Sequence, residues 1–418
     1  MHGTTVVLGG SGAMTSSCAY DLVETSDADE IVIADADERN ARRLVELVDD
    51  DRVRFEPVDA TDAADIARVL SGADYAVNGL PYRFEENVLD AILSAGGIDA
   101  VDLNAFEFDA VLGRSAEFAD ADCRLWFANG GLVSTIVLGL LGCRSLDSVS
   151  EVNFYWGMWR LLTQTTPGLT DTVTYEHDPT VDERIRWEDG EVIDDLPAFG
   201  HERTFTFPEP IGEQETYVLT HPEPVTFPKA PVADETGVER VITRGVWHPE
   251  WERYERTLHA MDAFDAEVLS VDGAGEGPEA EAGVDPLEVM QRQIKRAGAE
   301  DEWRPPEALS PETDWTPQTV LSAEVTGTVD GRRETAVLHL TQPFPFFDGN
   351  EITLMREYGC YVGVPLSVTL QLLAAGEVDA DGVFVTETSG LDPDRYVGEM
   401  ERRGFGLSRE RRPGETNP

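Results

Sequence analysis

Apolar residues follow two different periods along the first part of the chain. Short apolar runs typical of strands are separated by stretches in which apolar residues recur at helical spacing. Strands are predicted at Val6–Leu8, Ile31–Ala34, Val53–Phe55, Tyr75–Val77, Ala100–Val101 and Leu125–Phe127. Helices are predicted between them, at Met14–Glu24, Asp37–Val48, Ala63–Leu70, Glu86–Ala95 and Phe108–Ala119. This alternation indicates an α/β fold with a doubly wound parallel sheet, in which ligands bind at the carboxyl ends of the strands.

A glycine turn separates the first predicted strand from the first helix. The turn, residues 9–12, reads Gly-Gly-Ser-Gly, and Asp35 ends the second strand. This order is typical of a dinucleotide-binding βαβ unit, although Thr15 stands in place of the third glycine. We expect Gly10 to adopt backbone angles that other residues avoid, and Gly12 to let a pyrophosphate approach the helix N-terminus. The alternative is a glycine turn in some other α/β unit.

The acidic residue that ends the second strand bears on the choice of cofactor. Asp35 is expected to accept hydrogen bonds from the adenosine ribose hydroxyls, and its charge would repel a 2′-phosphate. Ala36 beside it carries no positive charge. The predicted cofactor is therefore NAD or NADP, with NAD favoured. We expect it to contact the ends of the first four strands, at Gly10, Ser11, Gly12, Ala13, Met14, Asp35, Ala36, Asp59, Ala60, Asn78, Gly79, Leu80 and Pro81.

From about Glu151 the pattern changes to that of an antiparallel sheet. Asp189–Gly190 and Asp330–Gly331 are typical hairpin turns. Strands are predicted at Val152–Tyr155, Thr172–Tyr175, Glu183–Trp187, Thr204–Phe207, Tyr217–Thr220, Ala323–Val329 and Thr335–Leu340, with a helix at Leu287–Ala297 and surface loops at 272–283 and 302–317. The chain ends with a predicted helix at 363–375, a strand at Gly382–Val385, a helix at Pro393–Arg402 and a frayed tail from Ser408.

The charge balance changes the picture of the surface. The 418 residues include 32 basic and 81 acidic ones, a net charge of −49, and only two of the basic residues are lysines. The acidic residues are spread over a chain with 41% hydrophobic content, which is enough to build a core. This composition predicts a folded, halophilic protein whose self-repulsion is screened by concentrated salt. It excludes nucleic acid as a partner, because phosphates require a basic surface.

Other classes of protein are disfavoured by the composition of the chain. No apolar run approaches the roughly 20 residues that span a bilayer, and no basic-then-apolar segment opens the sequence. The four cysteines are widely spaced, which favours buried thiols over a disulfide or a metal site. We therefore expect a cytoplasmic protein with no metal and no membrane partner.

Three blocks of sequence, spread over most of the chain, carry a family resemblance. They are the glycine turn with 33–35 and 77–82; then 186–191, 207–212 and 221–223; and finally 361–365 with 374–377 and 382–383. In these blocks the chain resembles the saccharopine dehydrogenase-like family, which includes saccharopine reductases, lysine 6-dehydrogenases and carboxynorspermidine synthases.

The resemblance implies both an architecture and a reaction. A Rossmann NAD(P)-binding domain would comprise residues 1–128 plus about 360–405, and the doubly wound sheet would carry an inserted α+β domain for substrate binding and dimerisation at 129–359. Residues 406–418 would form a frayed tail. The implied reaction is hydride transfer at the C–N bond of an amine or imine, on an amino acid or polyamine. We expect a homodimer that acts on a small molecule.

The chain departs from the family pattern in two places near the expected active site. Residues 129–134 lack the proline of the family's turn after the sixth strand, and Trp156 and Trp159 replace a small, glycine-rich run. A bulkier, more apolar pocket would suit a different substrate. The alternatives are an enoyl or carbonyl reductase on the same scaffold and a catalytically silent, dinucleotide-binding sensor.

A few side chains are candidates for the proton transfer and positioning that hydride transfer requires. Tyr82 is a candidate catalytic residue, or else a surface aromatic. Asn104 and Asn129 lie at neighbouring strand ends, where they would hold a substrate carboxylate or the nicotinamide carboxamide, or simply form turns. His221 has a proton affinity suited to acid–base catalysis, or caps a sheet edge. Arg356 is a candidate clamp for a substrate carboxylate.

Overall fold

The computed structural model describes residues 1–105, 107–159, 184–194, 196–260, 269–270, 283–284, 318–341 and 357–413. Strands and helices alternate in its first part. They are β1 (Thr4–Leu8), α1 (Thr15–Thr25), β2 (Glu30–Asp35), α2 (Glu38–Val48), β3 (Val53–Pro57), α3 (Ala63–Leu70), β4 (Tyr75–Asn78), α4 (Glu85–Ala95), β5 (Asp99–Asp102), α5 (Phe108–Gly113), α6 (Ser115–Asp120), β6 (Arg124–Trp126) and α7 (Gly131–Arg144).

The second part consists mainly of strands, and the chain then returns to mixed elements. The second part contains β7 (Ser148–Trp159), β8 (Arg186–Glu188), β9 (Glu191–Ile193), β10 (Arg203–Thr206), β11 (Glu213–Val218), α8 (Glu223–Thr226), α9 (Pro231–Thr236), β12 (Arg240–Trp247), α10 (Pro249–Ala260), β13 (Leu269–Ser270), β14 (Gly283–Val284), β15 (Gln318–Val329) and β16 (Arg332–Thr341). The last elements are α11 (Glu357–Ala374), β17 (Gly382–Phe384), α12 (Pro393–Arg402) and β18 (Gly406–Pro413).

The first sheet has seven parallel strands in the order β3-β2-β1-β4-β5-β6-β17. The six strands predicted in this region are confirmed, and β17 adds a seventh at the edge beside β6. The central strands are apolar throughout because helices cover both faces; Val6, Val7 and Leu8 of β1 are fully buried. The strand order reverses between β1 and β4, which places a ligand crevice outside their carboxyl ends.

The second sheet is mixed but mostly antiparallel. Its main path runs β10-β11-β12-β7-β15-β16-β18, and β8 and β9 extend it from β12. Only the β7–β12 pair is parallel among its described pairs. Both predicted hairpin turns are confirmed: Asp189, Gly190, Asp330 and Gly331 all have positive φ, as such turns require. A parallel Rossmann sheet and a second α+β unit were the predicted fold class, which is confirmed.

Helix α7 joins the two sheets, and the sequence pattern did not predict it. Every residue from Gly131 to Cys143 is buried, so the helix has no polar face and no amphipathic period to reveal it. Its glycines let the second sheet approach closely. A Cβ at Gly142 would lie 2.4 Å from Val325 Cγ2, and one at Gly139 would lie 2.7 Å from Phe154 Cε1.

Two expectations about the elements are wrong. The single helix predicted at Phe108–Ala119 is broken into α5 and α6 at Arg114, whose φ and ψ of −85° and 1° leave the helical range. The tail expected to fray from residue 406 instead forms β18, which pairs with β16 from Gly406 to Pro413. The pairing provides hydrogen-bond partners for the backbone of an arginine-rich segment, which the sequence pattern indicated only to be polar. Predictions at Thr172–Tyr175, 272–282, Leu287–Ala297 and 302–317 lie outside the described residues.

Helix α11 packs across the start of α1. A Cβ at Gly359 would lie 2.2 Å from the Ala13 carbonyl oxygen, and one at Gly363 would lie 2.1 Å from that of Met14. These glycines, four residues apart on one face of α11, therefore allow backbone-to-backbone contact directly behind the glycine turn. The packing explains why the 361–365 block needs a glycine at position 363.

The described part of the chain has neither a membrane-spanning helix nor a cluster of metal-binding side chains. No helix there is long and apolar enough to cross a membrane. No group of three or more histidine, cysteine, aspartate or glutamate side chains there could hold a metal ion.

Candidate active site at the carboxyl edge of the first sheet

The glycine turn after β1 has the shape of a phosphate cradle. Gly9 adopts the positive φ (+65°) expected of Gly10, because the chain already bends at the first glycine. Gly10 is required for space instead: a Cβ there would lie 2.8 Å from the Val7 carbonyl oxygen. A Cβ at Gly12 would lie 3.0 Å from the Gly9 carbonyl oxygen. These glycines are thus required by the packing of the turn against its own backbone, and its contact with a pyrophosphate stays a prediction.

The missing third glycine of the fingerprint is explained by an exchange of positions. In the fingerprint that glycine gives room for close helix–strand packing. Here Thr15 occupies its place, and the room comes from Gly79, where a Cβ would lie only 2.0 Å from Thr15 Cγ2. The Thr15 hydroxyl donates to the Gly9 carbonyl and so fixes the turn.

The N-terminus of α1 is free of a side-chain cap. Met14 occupies the N-cap position, and its side chain accepts no hydrogen bond from the first turn. The Ser16 and Ser17 amides donate to the carbonyls of Gly12 and Met14 at 3.0 and 3.2 Å. The amides of Ala13, Met14 and Thr15 have no acceptor among the described residues, which leaves them available to an anion. Ala13 and Met14 fit the predicted role in cradling a pyrophosphate.

Asp35 faces the glycine turn. Its Oδ2 accepts from the Ser11 amide at 2.9 Å and from the Ser11 hydroxyl at 2.8 Å, and its Oδ1 accepts from the Asp37 amide at 2.9 Å. The carboxylate thus braces the turn at the end of β2, and its charge lies where an adenosine ribose would lie. Ala36 is exposed beside it.

Asp59 and Ala60 lie after β3, farther from the turn in strand order. Asp59 is exposed, and its Oδ1 accepts from the amide and hydroxyl of Thr61 at 2.9 and 2.7 Å. These hydrogen bonds hold the pKa of Asp59 below its usual value. The backbone carbonyl of Ala60 accepts from Asn87 Nδ2 at 2.9 Å. Both residues act locally in the turn, and their contact with an adenine remains a prediction.

The loop after β4 is held by Asn78. Its Oδ1 accepts from the Leu80 amide at 3.1 Å, and its Nδ2 donates to Asp102 Oδ2 at 2.8 Å. The Asn78 side chain is therefore engaged within the protein, and the loop 79–81 presents backbone to the crevice. Tyr82 begins a short 3₁₀ helix after Pro81 and is 51% exposed. Its catalytic role stays a prediction.

The sequence pattern did not predict the buried pair of acids, Glu85 and Asp102, that lies next to this loop. Asp102 is fully buried at the end of β5, and Glu85, 9% exposed, begins α4. Asn78 Nδ2 lies 2.8 Å from Asp102 and 3.4 Å from Glu85 Oε2, so the two carboxyl groups are neighbours. Burial, together with the charge of Asp102, raises the pKa of Glu85 to about 10, and burial raises that of Asp102 as well. The pair therefore holds a proton at neutral pH.

The two predicted asparagines are brought together at adjacent strand ends. The Ala128 amide donates to the Asn104 carbonyl at 3.1 Å, and the Asn129 amide donates to the Asp102 carbonyl at 2.8 Å. Asn104 Nδ2 donates to Glu85 Oε2 at 2.6 Å and to the Leu80 carbonyl at 3.2 Å. Because both Nδ2 hydrogens are used, the Asn104 side chain can accept a hydrogen bond from a ligand but cannot donate one to a carboxylate.

Asn129 serves the start of α7. Its Oδ1 accepts from the Gly130 amide at 2.7 Å and from the Thr369 hydroxyl at 2.9 Å, while its buried Nδ2 has no partner among the described residues. The side chain is 1% exposed. Its geometry favours the turn-forming role over direct contact with substrate.

His221 belongs to a buried polar cluster on the second domain. Its Nδ1 lies 2.9 Å from Glu223 Oε2. The fully buried carboxylate of Glu223 also accepts from Thr243 at 3.1 Å and from Thr135 at 3.0 Å. Burial disfavours its charge, but the charge of His221 and hydrogen bonds from His221, the Glu223 backbone amide and Trp156 outweigh burial, so the pKa of Glu223 is lowered.

Trp156 ties this cluster to the edge of the first sheet. Its Nε1 donates to Glu223 Oε1 at 3.3 Å, and its ring lies 4.7 Å from that of His221. The far edge of the same indole reaches the start of α7, where a Cβ at Gly131 would lie 2.6 Å from it. The tryptophan that departs from the family pattern therefore forms the wall between His221 and the end of β6.

The strand order assigns these residues to two halves of the crevice. Asp35 and Asp59 follow β2 and β3 on one side of β1, which would be the adenosine half for a bound dinucleotide. Asn78, Asn104 and Asn129 follow β4, β5 and β6 on the other side, the nicotinamide half, next to the corner that carries His221. Arg356 lies outside the described residues. The residues present fit a nicotinamide dinucleotide.

Comparisons with known proteins agree with this geometry. Residues 5–123 match the family model described as the saccharopine dehydrogenase NADP binding domain. Among solved structures, apo saccharopine dehydrogenase (L-Glu forming) from Saccharomyces cerevisiae matches with a TM-score of 0.68 and 14% identity over 98% of this chain and 99% of that chain. Amine dehydrogenase from Mycobacterium smegmatis matches with a TM-score of 0.45 and 13% identity over 92% of this chain and 95% of that chain.

These matches bear on two predictions from the sequence. The family match supports a nicotinamide dinucleotide as the cofactor but lends no support to NAD over NADP. The resemblance is confirmed for residues 5–123, which match a saccharopine dehydrogenase-type NADP-binding domain, and the fold of the described residues is similar to that of a saccharopine dehydrogenase.

Proposed function

We propose that this protein is an NAD(P)-dependent oxidoreductase that acts on the C–N bond of an amino acid or a polyamine. The observation that carries the proposal is the His221–Glu223 pair, which Trp156 joins to the nicotinamide half of the crevice. Oxidation of an amine removes a hydride from carbon and a proton from nitrogen. A histidine held by a buried carboxylate is suited to take that proton.

The chain's own residues divide the work of this reaction. A bound nicotinamide dinucleotide would supply the hydride acceptor or donor. The glycine turn and the start of α1 would hold its pyrophosphate. His221 would take the proton from the substrate nitrogen in oxidation and return it in reduction, while Glu223 stabilises the imidazolium. Trp156 and the start of α7 would form an apolar wall that excludes water from the reacting atoms.

We infer that the enzyme prefers NAD to NADP. Asp35 holds a negative charge beside the expected ribose position, and the neighbouring Ala36 offers no cation to a 2′-phosphate. Arg39 is exposed in the first turn of α2 and is the nearest arginine in sequence that could oppose this preference. Affinities for NADH and NADPH, measured on the same preparation, test the preference directly, and tighter binding of NADPH would reverse it.

The reaction is tested with a substrate panel. Purified protein in concentrated KCl is incubated with NAD⁺ or NADP⁺ and a panel of amino acids, saccharopine-like secondary amines and polyamines, and dinucleotide reduction is followed. We expect turnover of at least one amine. His221→Asn should lower kcat by about 100-fold or more, the usual contribution of a general base. His2→Asn, at an exposed histidine, is the matched control and should leave kcat unchanged.

Other outcomes would select an alternative. Turnover of enoyl or carbonyl compounds without turnover of amines would identify a reductase of that class on the same scaffold. Dinucleotide binding with no turnover in any panel would identify a silent sensor. Either result would refute the proposed reaction while leaving the cofactor site in place.

A further inference from the structure

Glu85 and Asp102 form the only buried pair of acids at the described edge of the first sheet that the proposed reaction does not use. Neither forms an ion pair within the described residues, and no lysine, arginine or histidine there donates to them. Their described donors are amides: Asn78 Nδ2 to both carboxyl groups, the Asn104 amide to Asp102 Oδ1 at 2.8 Å, and Asn104 Nδ2 to Glu85 Oε2. Two adjacent buried charges without a cation are unfavourable.

The hydrogen-bond pattern decides which acid keeps the proton. Both oxygens of Asp102 accept from protein donors, as a carboxylate does. Glu85 Oε2 accepts from two amides, whereas Glu85 Oε1 is buried without a donor. The charged neighbours that act most strongly on Glu85 are Asp102 and the exposed Glu86, both acidic. A neutral Glu85 beside an ionised Asp102 satisfies this arrangement.

The neutral acid fixes the direction of the Asn104 amide. Because Glu85 Oε2 and the Leu80 carbonyl take both Nδ2 hydrogens, Asn104 Oδ1 points away from them and accepts nothing from the described residues. Asn104 keeps 8% of its surface exposed, at the end of β5 in the nicotinamide half. A carboxylate would be repelled by this oxygen, while an N–H group would be bound.

We infer that Glu85 is a neutral positioning residue that holds Asn104 Oδ1 as the acceptor for the carboxamide N–H of a nicotinamide. The inference rests on the proposed function for its ligand, and it gives a role to an acid pair that hydride transfer itself does not use. Asn104 would set the rotation of the carboxamide, and with it the face of the ring that is turned toward the substrate. Asn129 would shape the neighbouring strand end without touching the ring.

The first arm of the test measures the neutral acid and needs no ligand. A buried carboxyl group whose pKa is raised on folding stabilises the fold fully below its unfolded value, and this stability is lost as pH rises towards the folded value of about 10. Glu85→Gln mimics the neutral acid. Its denaturation midpoint should therefore rise relative to wild type as the pH increases from 5 to 9. Glu46→Gln, at an exposed position of α2 away from Glu85, is the matched control and should track wild type.

The second arm measures the ligand contact. The probes are NADH and its 3-acetylpyridine analogue, whose acetyl group has no N–H, compared by direct binding in concentrated KCl. Wild type should bind NADH roughly 2- to 10-fold more tightly than the analogue, the contribution of one hydrogen bond. Asn104→Ala should remove this ratio, and Glu85→Gln should keep it. Glu85→Ala should reduce it, because the Asn104 amide loses its partner.

The outcomes separate this inference from the proposed function. A Glu85→Gln variant that follows wild type at every pH, or an Asn104→Ala variant that keeps the wild-type ratio, overturns the inference even if amines are oxidised. Conversely, a preserved pattern of ratios without turnover of any amine supports the inference and refutes the proposed reaction. If neither dinucleotide binds, the proposed function and the ligand contact both fail, and the pH arm still decides the state of Glu85.

Discussion

Thr15 and Gly79 show how one close contact can be built from either side. In the dinucleotide fingerprint a glycine on the helix makes room for the neighbouring strand. In this protein the helix carries a threonine, and the strand end supplies the glycine. The exchange adds a hydrogen bond from the Thr15 hydroxyl to the Gly9 carbonyl, which ties the helix to the phosphate-binding turn. The departure from the fingerprint is thus compatible with cofactor binding.

A pair of substitutions tests this exchange. Gly79→Ala places a methyl group against Thr15 Cγ2, and overpacking of this kind should cost roughly 1–3 kcal/mol in the free energy of unfolding. Thr15→Ser removes the Thr15 methyl group and keeps the hydroxyl, so the double variant should recover most of the loss. Chemical denaturation of the three variants measures the coupling. Strictly additive losses would mean that the two residues do not share the space.

Single residues differed in how far the sequence revealed them. The glycine turn, Asp35 and the strand-end asparagines could be predicted, because each stands at a fixed place in an alternating pattern. The role of Glu85 could not be predicted, because an acid in the first turn of a helix is most often solvated and interacts favourably with the helix dipole. Only the three-dimensional structure places Asn78 and Asp102 against it. The hydrogen bonds that restrict Asn104 to acceptance were hidden for the same reason.

Helix α11 is the element that braces the cofactor turn from behind. Its two glycines bring its backbone against the carbonyl groups of Ala13 and Met14. Ser17 Oγ lies 3.7 Å from Cys360 Sγ in the same contact. The C-terminal part of the chain is therefore needed to hold the start of α1, although it lies far away in sequence.

Alanine substitutions on the two C-terminal helices separate this contact from helix propensity. Gly363→Ala would drive a methyl group into the Met14 carbonyl, so we expect a loss of stability of at least about 1–3 kcal/mol and weaker dinucleotide binding. Gly398→Ala on α12 meets nothing within 4 Å. It should be neutral or should stabilise by up to about 1 kcal/mol, because alanine favours the helix. Thermal unfolding and NADH titration of both variants provide the comparison; equal behaviour would contradict the bracing role.

Elements with a visible period were predicted well, and elements without one were not. Helices α1 to α4 were found within a residue or two because apolar residues recur along them at helical spacing, between strands and turns of a regular pattern. Helix α7 is buried on all sides, so it has no polar face from which its helical period could be predicted. Strand β18 was taken for a tail because its residues are polar, while its order comes from backbone pairing with β16. Both cases depend on partners that are distant in sequence.

The whole molecule carries a net charge of −49, and we propose that it is adapted to concentrated salt. Unscreened acidic surfaces repel each other and oppose the compact state, and molar salt shortens the screening length to about 3 Å. The unfolding midpoint should therefore rise steeply with KCl and fall in dilute buffer. Circular dichroism across a KCl series measures this. Full stability without added salt would refute the proposed adaptation.

Titration of the folded protein with a nicotinamide dinucleotide tests the central claim most directly. Calorimetry in concentrated KCl should show saturable binding of NADH or NADPH with one site per chain. Asp35→Ala should alter NADH affinity or its ratio to NADPH affinity, because this carboxylate braces the turn and lies in the adenosine half. Absence of binding by either dinucleotide, or binding that Asp35→Ala leaves unchanged in both affinity and ratio, would contradict a cofactor bound across the carboxyl edge of the first sheet.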